Sequence, residues 1–201
     1  MPTLYDLKPR FQNLLRPLAR RLAAAGITAN QLTIAAAFLS VATGALLTAF
    51  SHMPALFWLL PVVLFVRMAL NTLDGMLARE FGQASRLGAC LNELADIASD
   101  AALILPFAFV APFGTWGVMA FAFAALTAEF AGVLGHAIGA GRIYVGPFGK
   151  SDRALALGIL AAVVASGVSL PAWAAWLFPL MAVLSLLTMA NRIRAGLRLA
   201  S

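Results

Sequence analysis

Residues Pro54–Arg79 read PALFWLLPVVLFVRMALNTLDGMLAR. The run is long and apolar enough to cross a bilayer as a helix, yet its second half carries Arg67, Asn71, Asp74 and Arg79. Polar groups at membrane depth are expensive and mark places where a protein does chemistry. This one stretch therefore predicts apolar helices in lipid, with a working site where their polar ends meet.

The rest of the sequence extends the pattern. Of 201 residues, 62% are hydrophobic and 11% charged, more apolar surface than a soluble domain of this length can bury. Six spans fit the apolar runs, at 31–50, 54–79, 86–111, 114–139, 153–169 and 172–192. The connections Ser51–Pro54, Ala111–Gly114 and Val168–Pro171 contain no Lys or Arg. Thirteen of the 14 basic residues fall on the opposite side, the exception being Arg67. That segregation predicts both termini on the cytoplasmic side of the cell inner (cytoplasmic) membrane. The same placement reads the net charge of +6 as contact with a membrane surface and excludes nucleic acid as the partner. A single cysteine, Cys90, rules out an intramolecular disulfide and a cysteine-built metal site.

Ahead of the first span, Leu4, Leu7, Phe11, Leu14, Leu15, Leu18 and Leu22 recur at helical spacing among basic residues. The segment 4–25 is therefore expected to lie in the membrane interface as an amphipathic helix, kinked or divided at Pro17. The fold class is an all-α integral membrane protein, a six-helix bundle over 31–192 within one domain, 1–201.

Polar residues concentrate at the cytoplasmic half of spans two and three. Asn71 and Asp74 are three apart, on one face of a helix; Asn92, Asp96 and Asp100 follow at intervals of four, with Glu93 on the same arc. Carboxylate and amide oxygens on facing helices suit Mg²⁺ or Mn²⁺, and the absence of His and Cys argues against zinc. Small residues between them, Gly75, Ala78, Gly82 and Gly88, allow close helix packing or the approach of a large anion to the backbone.

These residues resemble the signature of the CDP-alcohol phosphotransferase family, D-x-x-D-G-x-x-A-R-(x)8-G-x-x-x-D-x-x-x-D. Asp74, Gly75, Ala78, Arg79, Gly88 and Asp96 match in type and spacing, six of eight fixed positions. The first and third aspartates are replaced by Asn71 and Asn92. An amphipathic start, six spans and the lead-in Thr28–Thr33 extend the resemblance over the chain. It implies transfer of a phosphate-linked alcohol from a CDP-alcohol, such as CDP-diacylglycerol, to a second alcohol with release of CMP. It also implies a homodimer. In that family four aspartates bind two metals and the last acts as base. Carried over, Asp74 is a metal ligand and Asp96 a ligand and catalytic base. Asn71 and Asn92 remain as neutral ligands, with Glu93 or Asp100 as substitutes. Gly75, Ala78, Arg79, Gly88, Asn30 and Thr33 would form the nucleotide site. Arg142, Lys150 and Arg153 would receive a soluble, phosphorylated acceptor alcohol.

Arg67, mid-span, requires a partner, and Glu129 and Asp100 are the expected ones. Two competing functions attach to the same residues. A cation path through the acidic cluster is disfavoured because the carboxylates stop in the cytoplasmic half. A lapsed family member, binding CDP-lipid or serving as a scaffold, follows if the two asparagines abolish catalysis.

Overall fold

A computed structural model describes the backbone of residues 4–200 and the side chains of residues 9–200; Leu4 and Leu7, named above, therefore lie outside the described side chains. The described residues form seven α-helices and no strand. They are α1 (Leu4–Ala24), α2 (Ala29–Ala49), α3 (Leu59–Glu80), α4 (Arg86–Ile104), α5 (Thr115–Ala137), α6 (Lys150–Ala165) and α7 (Leu177–Ala200). Short 3-10 turns lead into α3 (Pro54–Trp58) and α7 (Ala172–Trp176), and another follows α4 (Leu105–Phe109).

Among the described residues, four segments are long and apolar enough to cross a membrane: Ala29–Ala49, Pro54–Glu80, Thr115–Ala137 and Ala172–Ala200. The other two expected spans differ for physical reasons. α4 carries Arg86, Glu93, Asp96 and Asp100 within 19 residues, and α6 is 16 residues long, about 24 Å at the helical rise. α7 runs on to Ala200, past the expected end at 192, so Arg194 and Arg198 extend the same helix.

The chain separates into two compact units. The first comprises residues up to Val41 together with Val63–Ser99; the second comprises Ala42–Val62 and the chain from Asp100 onward. In the first unit Ala19, Ala29, Leu32, Leu73, Met76 and Leu77 form a buried core, with Leu15, Leu22 and Leu70 packed against it. α1 thus spends part of its leucine stripe on protein: Phe11 meets Phe65 edge-on, ring centroids 6.2 Å apart, while Leu14 is 74% exposed. α1 also runs unbroken through Pro9 and Pro17, against the expected division. Arg16 pairs with Glu80, tying α1 to the end of α3.

α2 begins with a reciprocal cap. Thr28 Oγ1 accepts the Gln31 N–H (3.2 Å) and Gln31 Oε1 accepts the Thr28 N–H (2.9 Å). Gln83, from the connection between α3 and α4, accepts the Ala29 N–H (2.7 Å) and donates to the Ile27 carbonyl (3.3 Å). The start of α2 is thereby fixed to the α3–α4 connection.

In the second unit Phe57, Phe107, Phe113, Phe121 and Phe178 are fully or almost fully buried. Phe113 meets Phe178 edge-on at 5.0 Å and Phe107 meets Phe57 at 5.4 Å, the offset geometry that aromatic quadrupoles favour. The connection between α5 and α6 folds back onto its neighbours. Ile143 N–H donates to the Gly132 carbonyl (3.0 Å), and Phe148 N–H donates to Thr188 Oγ1 (3.0 Å). A Cβ at Gly135 would come within 2.0 Å of the Gly141 carbonyl oxygen, so only glycine admits this approach.

Candidate active site

In the first unit Arg67 and Asn71 of α3 meet Asp96 of α4. Arg67, Asn71 and Asp74 follow at intervals of four and three on α3, one helical face. Asp74 is buried, and its Oδ2 accepts a hydrogen bond from Thr33 Oγ1 (2.7 Å), which also donates to the Ala29 carbonyl (3.1 Å). Asp96 is buried on α4. Its Oδ1 accepts from Arg67 Nη2 (3.1 Å) and from Asn71 Nδ2 (3.3 Å), and its carbonyl accepts from Arg67 Nη2 (3.3 Å).

This arrangement gives Arg67 a partner beyond those expected from the sequence, Asp96. It also gives Asn71 a definite part. Its amide nitrogen steadies the Asp96 carboxylate, which leaves its amide oxygen turned the other way. Asn92 and Glu93 are half-buried on α4. Among the described residues, no three His, Cys, Asp or Glu side chains gather as a metal-holding group.

The expected nucleotide residues form two small contacts. A Cβ at Gly75 would lie 2.7 Å from Arg79 Nη2, so the glycine lets the exposed Arg79 side chain lie back along its own helix. At Gly88 the near neighbours are Asn30 Oδ1, 2.7 Å from such a Cβ, and Ser85, whose Oγ accepts the Gly88 N–H at 2.9 Å. Ala78 is half-buried beside the core of this unit.

The second unit holds a separate, basic constellation. Glu129 is buried in α5 and takes three arginines from three segments. Its Oε1 accepts from Arg153 Nη2 (2.6 Å) and lies 3.2 Å from Arg192 Nη1, and its Oε2 accepts from Arg142 Nη2 (3.4 Å). Arg153 also reaches Asp100 Oδ2 (3.5 Å) and the Phe148 carbonyl (3.3 Å). Arg192 donates to the carbonyls of Ala128 (2.6 Å) and Val145 (3.3 Å). Arg142 lies over the Tyr144 ring, 5.2 Å from its centroid. Burial pushes the Arg142 pKa below the ordinary arginine value; Tyr144 opposes this and Arg192 adds to it.

Arg153 is expected at the start of the fifth span, among the acceptor-binding residues. It lies in the first turn of α6 and is 2% exposed. Its Nε is buried and, among the described residues, has no hydrogen-bond partner. Such a donor calls for an oxygen that no described residue supplies. Lys150 is half-buried at the start of the same helix. Asp152 accepts the Gly149 N–H (2.8 Å), and its charge suits the helix N-terminus. Sequence reasoning passed over Glu129 as the hub and Arg192 as a member. The available signal was an acidic residue deep in an apolar helix, which needs more than one cation to hold it.

Comparison with known proteins places these observations in a lineage. A family model described as CDP-alcohol phosphatidyltransferase matches residues 26–189. The chain belongs to the CDP-alcohol phosphatidyltransferase family. It is accordingly a membrane enzyme of the phosphatidyl-transferring type, acting in phospholipid synthesis. The inner membrane protein YnbA of Escherichia coli is 48% identical over 97% of this chain and 96% of its own length. Archaetidylinositol phosphate synthase of Pyrococcus horikoshii is 32% identical over 52% of this chain and 53% of its own length. Among solved structures, the phosphatidylinositol phosphate synthase PgsA1 of Mycobacterium tuberculosis, in complex with manganese and citrate, superposes with a TM-score of 0.73. It is 24% identical and covers 90% of this chain and 88% of that one. The same enzyme with CDP-DAG bound gives 0.72, with 90% and 92% covered.

Proposed function

We propose that this enzyme moves the phosphatidyl group of CDP-diacylglycerol onto the hydroxyl of a soluble, anionic acceptor alcohol, releasing CMP. The carrying observation is the fixed Asp96 carboxylate, buried at the last signature position and bonded by Asn71 from the facing helix. In the first unit the donors are carboxylate, amide and hydroxyl oxygens, a set that fits a hard divalent cation such as Mg²⁺ or Mn²⁺. Asp74 and Asp96 would hold it, with Asn71 and Asn92 as neutral oxygens, and it would neutralise the donor's diphosphate. Gly75, Ala78, Arg79, Gly88, Asn30 and Thr33 line the nucleotide end of this reading.

Asp96 accepts the proton of the incoming hydroxyl, whose oxygen then forms its bond to the β-phosphorus as the bond to CMP breaks. Arg142, Lys150 and Arg153 receive the anionic group of the acceptor, a reading supported by the orphaned Arg153 Nε. Guanidinium groups offer paired donors to phosphate oxygens. The test is mass spectrometry of lipids made from CDP-diacylglycerol with a panel of acceptor alcohols and Mn²⁺. A metal-dependent phosphatidyl product with matching CMP release is expected from a phosphorylated alcohol. Tight CDP-lipid binding without any product would replace this reading with that of a lapsed, lipid-binding member.

The same proposal takes the chain as one domain of six spans, with both termini and the active site on the cytoplasmic side and two copies forming a dimer. Its topology rests on the thirteen basic residues gathered on one side. With Cys90 replaced by serine, single cysteines at Ser51, Thr115 and Ser169 should react with an impermeant maleimide from outside the membrane. Reaction from the cytoplasmic side alone would reverse the orientation.

A further inference from the structure

The substitutions at positions 71 and 92 and the buried cation at 67 form one coherent change. A signature with four aspartates balances two divalent cations, four charges against four. Here two positions are neutral, and a guanidinium is buried against one of the remaining carboxylates. Arg67 is 5% exposed and spends its Nη2 on both the side chain and the carbonyl of Asp96. Asn71 donates to the same Oδ1, where an aspartate would present a second carboxylate that only a shared cation could hold beside the first. Asp96 is therefore held from α3 by Arg67 and Asn71.

We propose that this site takes one divalent cation per chain, and that Arg67 supplies beside Asp96 the positive charge that a second ion supplies where four aspartates are present. The proposal rests on the metal-dependent reading above. Asp74, Asp96 and Arg67 sum to one negative charge, which a single divalent ion turns to one positive charge facing the diphosphate of the donor. A second ion would raise this to three positive charges and would bring like charge against a buried guanidinium. Among the described residues no three His, Cys, Asp or Glu side chains gather as a metal-holding group, as a two-ion site would need.

Mn²⁺ titration of the purified full chain, read by electron paramagnetic resonance of free and bound ion, tests this with and without CDP-diacylglycerol. One bound ion per chain is expected in both conditions, with the spectrum of an isolated Mn²⁺. Two ions, or the broadened spectrum of a coupled pair, in either condition would overturn the proposal. No bound ion in either would sink the metal-dependent reading itself. Restoring aspartate at both positions, Asn71→Asp with Asn92→Asp, should leave the count at one while Arg67 remains; a count of two there also defeats the idea. Adding Arg67→Met to that pair should raise the count to two. A folded triple variant, still binding CDP-diacylglycerol, that stays at one would remove Arg67 from this role. If that variant does not fold, the wild-type and double-variant counts still decide the matter.

Discussion

Replacing Asp96 by asparagine is expected to lower the rate of CMP release at least about a hundredfold, the lower end of what a positioned general base contributes. The substitution keeps the shape of the side chain and an oxygen for Arg67 and Asn71 to donate to, so the helix contact survives. What it removes is the ability to take a proton, together with one negative charge beside Arg67. The protein should therefore still be extracted folded and still bind CDP-diacylglycerol, with the loss in turnover rather than in donor affinity. Stopped assays of CMP formation, run beside a binding isotherm for the donor, separate the two. Wild-type turnover in Asp96→Asn would take the base role from this residue. A parallel loss of donor binding would recast Asp96 as a binding group.

How far this site could be read in advance depends on what helical periodicity encodes. Spacing along one helix fixes which side chains share a face, so Asn71 with Asp74 and Asn92 with Asp96 were legible without coordinates. Depth between two helices is less well fixed. Counted from the basic residues at the ends, Arg67 lies twelve residues above Arg79, while Asp96 and Asp100 lie ten and fourteen above Arg86. At 1.5 Å per residue these are about 18, 15 and 21 Å, so both carboxylates are equally plausible partners by count. Asn71, one turn below Arg67 on α3, also bonds Asp96, and that shared contact sets the register.

The amphipathic start shows the same limit. Its leucines declared an apolar face, and the face exists, but periodicity does not say whether lipid or protein covers it. Leu15 and Leu22 pack against α2 and α3, whereas Leu14 remains exposed. The basic hub was the least legible part. Arg192 was absorbed into the charge pattern that sets topology, and it lies 39 residues beyond Arg153 in sequence. Only the folding of the α5–α6 connection onto α5 and α7 brings them to Glu129.

That hub yields the second large effect. Arg142→Ala removes a half-buried guanidinium whose bonds run to Glu129 and the Tyr144 ring, and Glu129 keeps Arg153 and Arg192. Stability should change little, because two cations still neutralise the buried carboxylate. Acceptor binding should suffer: a charge-assisted hydrogen bond to an anion is worth about 1.5–3 kcal/mol, or roughly a tenfold to hundredfold rise in acceptor KM. Arg153→Ala should produce the same rise and also destabilise the fold by about 3–5 kcal/mol, since this fully buried guanidinium holds Asp100 and the Phe148 carbonyl besides Glu129. Neither variant should alter KM for CDP-diacylglycerol, whose proposed ligands are other residues. KM for each substrate and thermal unfolding in detergent, measured for both variants, resolve these effects. A lower unfolding temperature for Arg153→Ala with acceptor KM unchanged in both variants would make the hub a structural ion cluster, and the anionic acceptor would have to be sought at other residues.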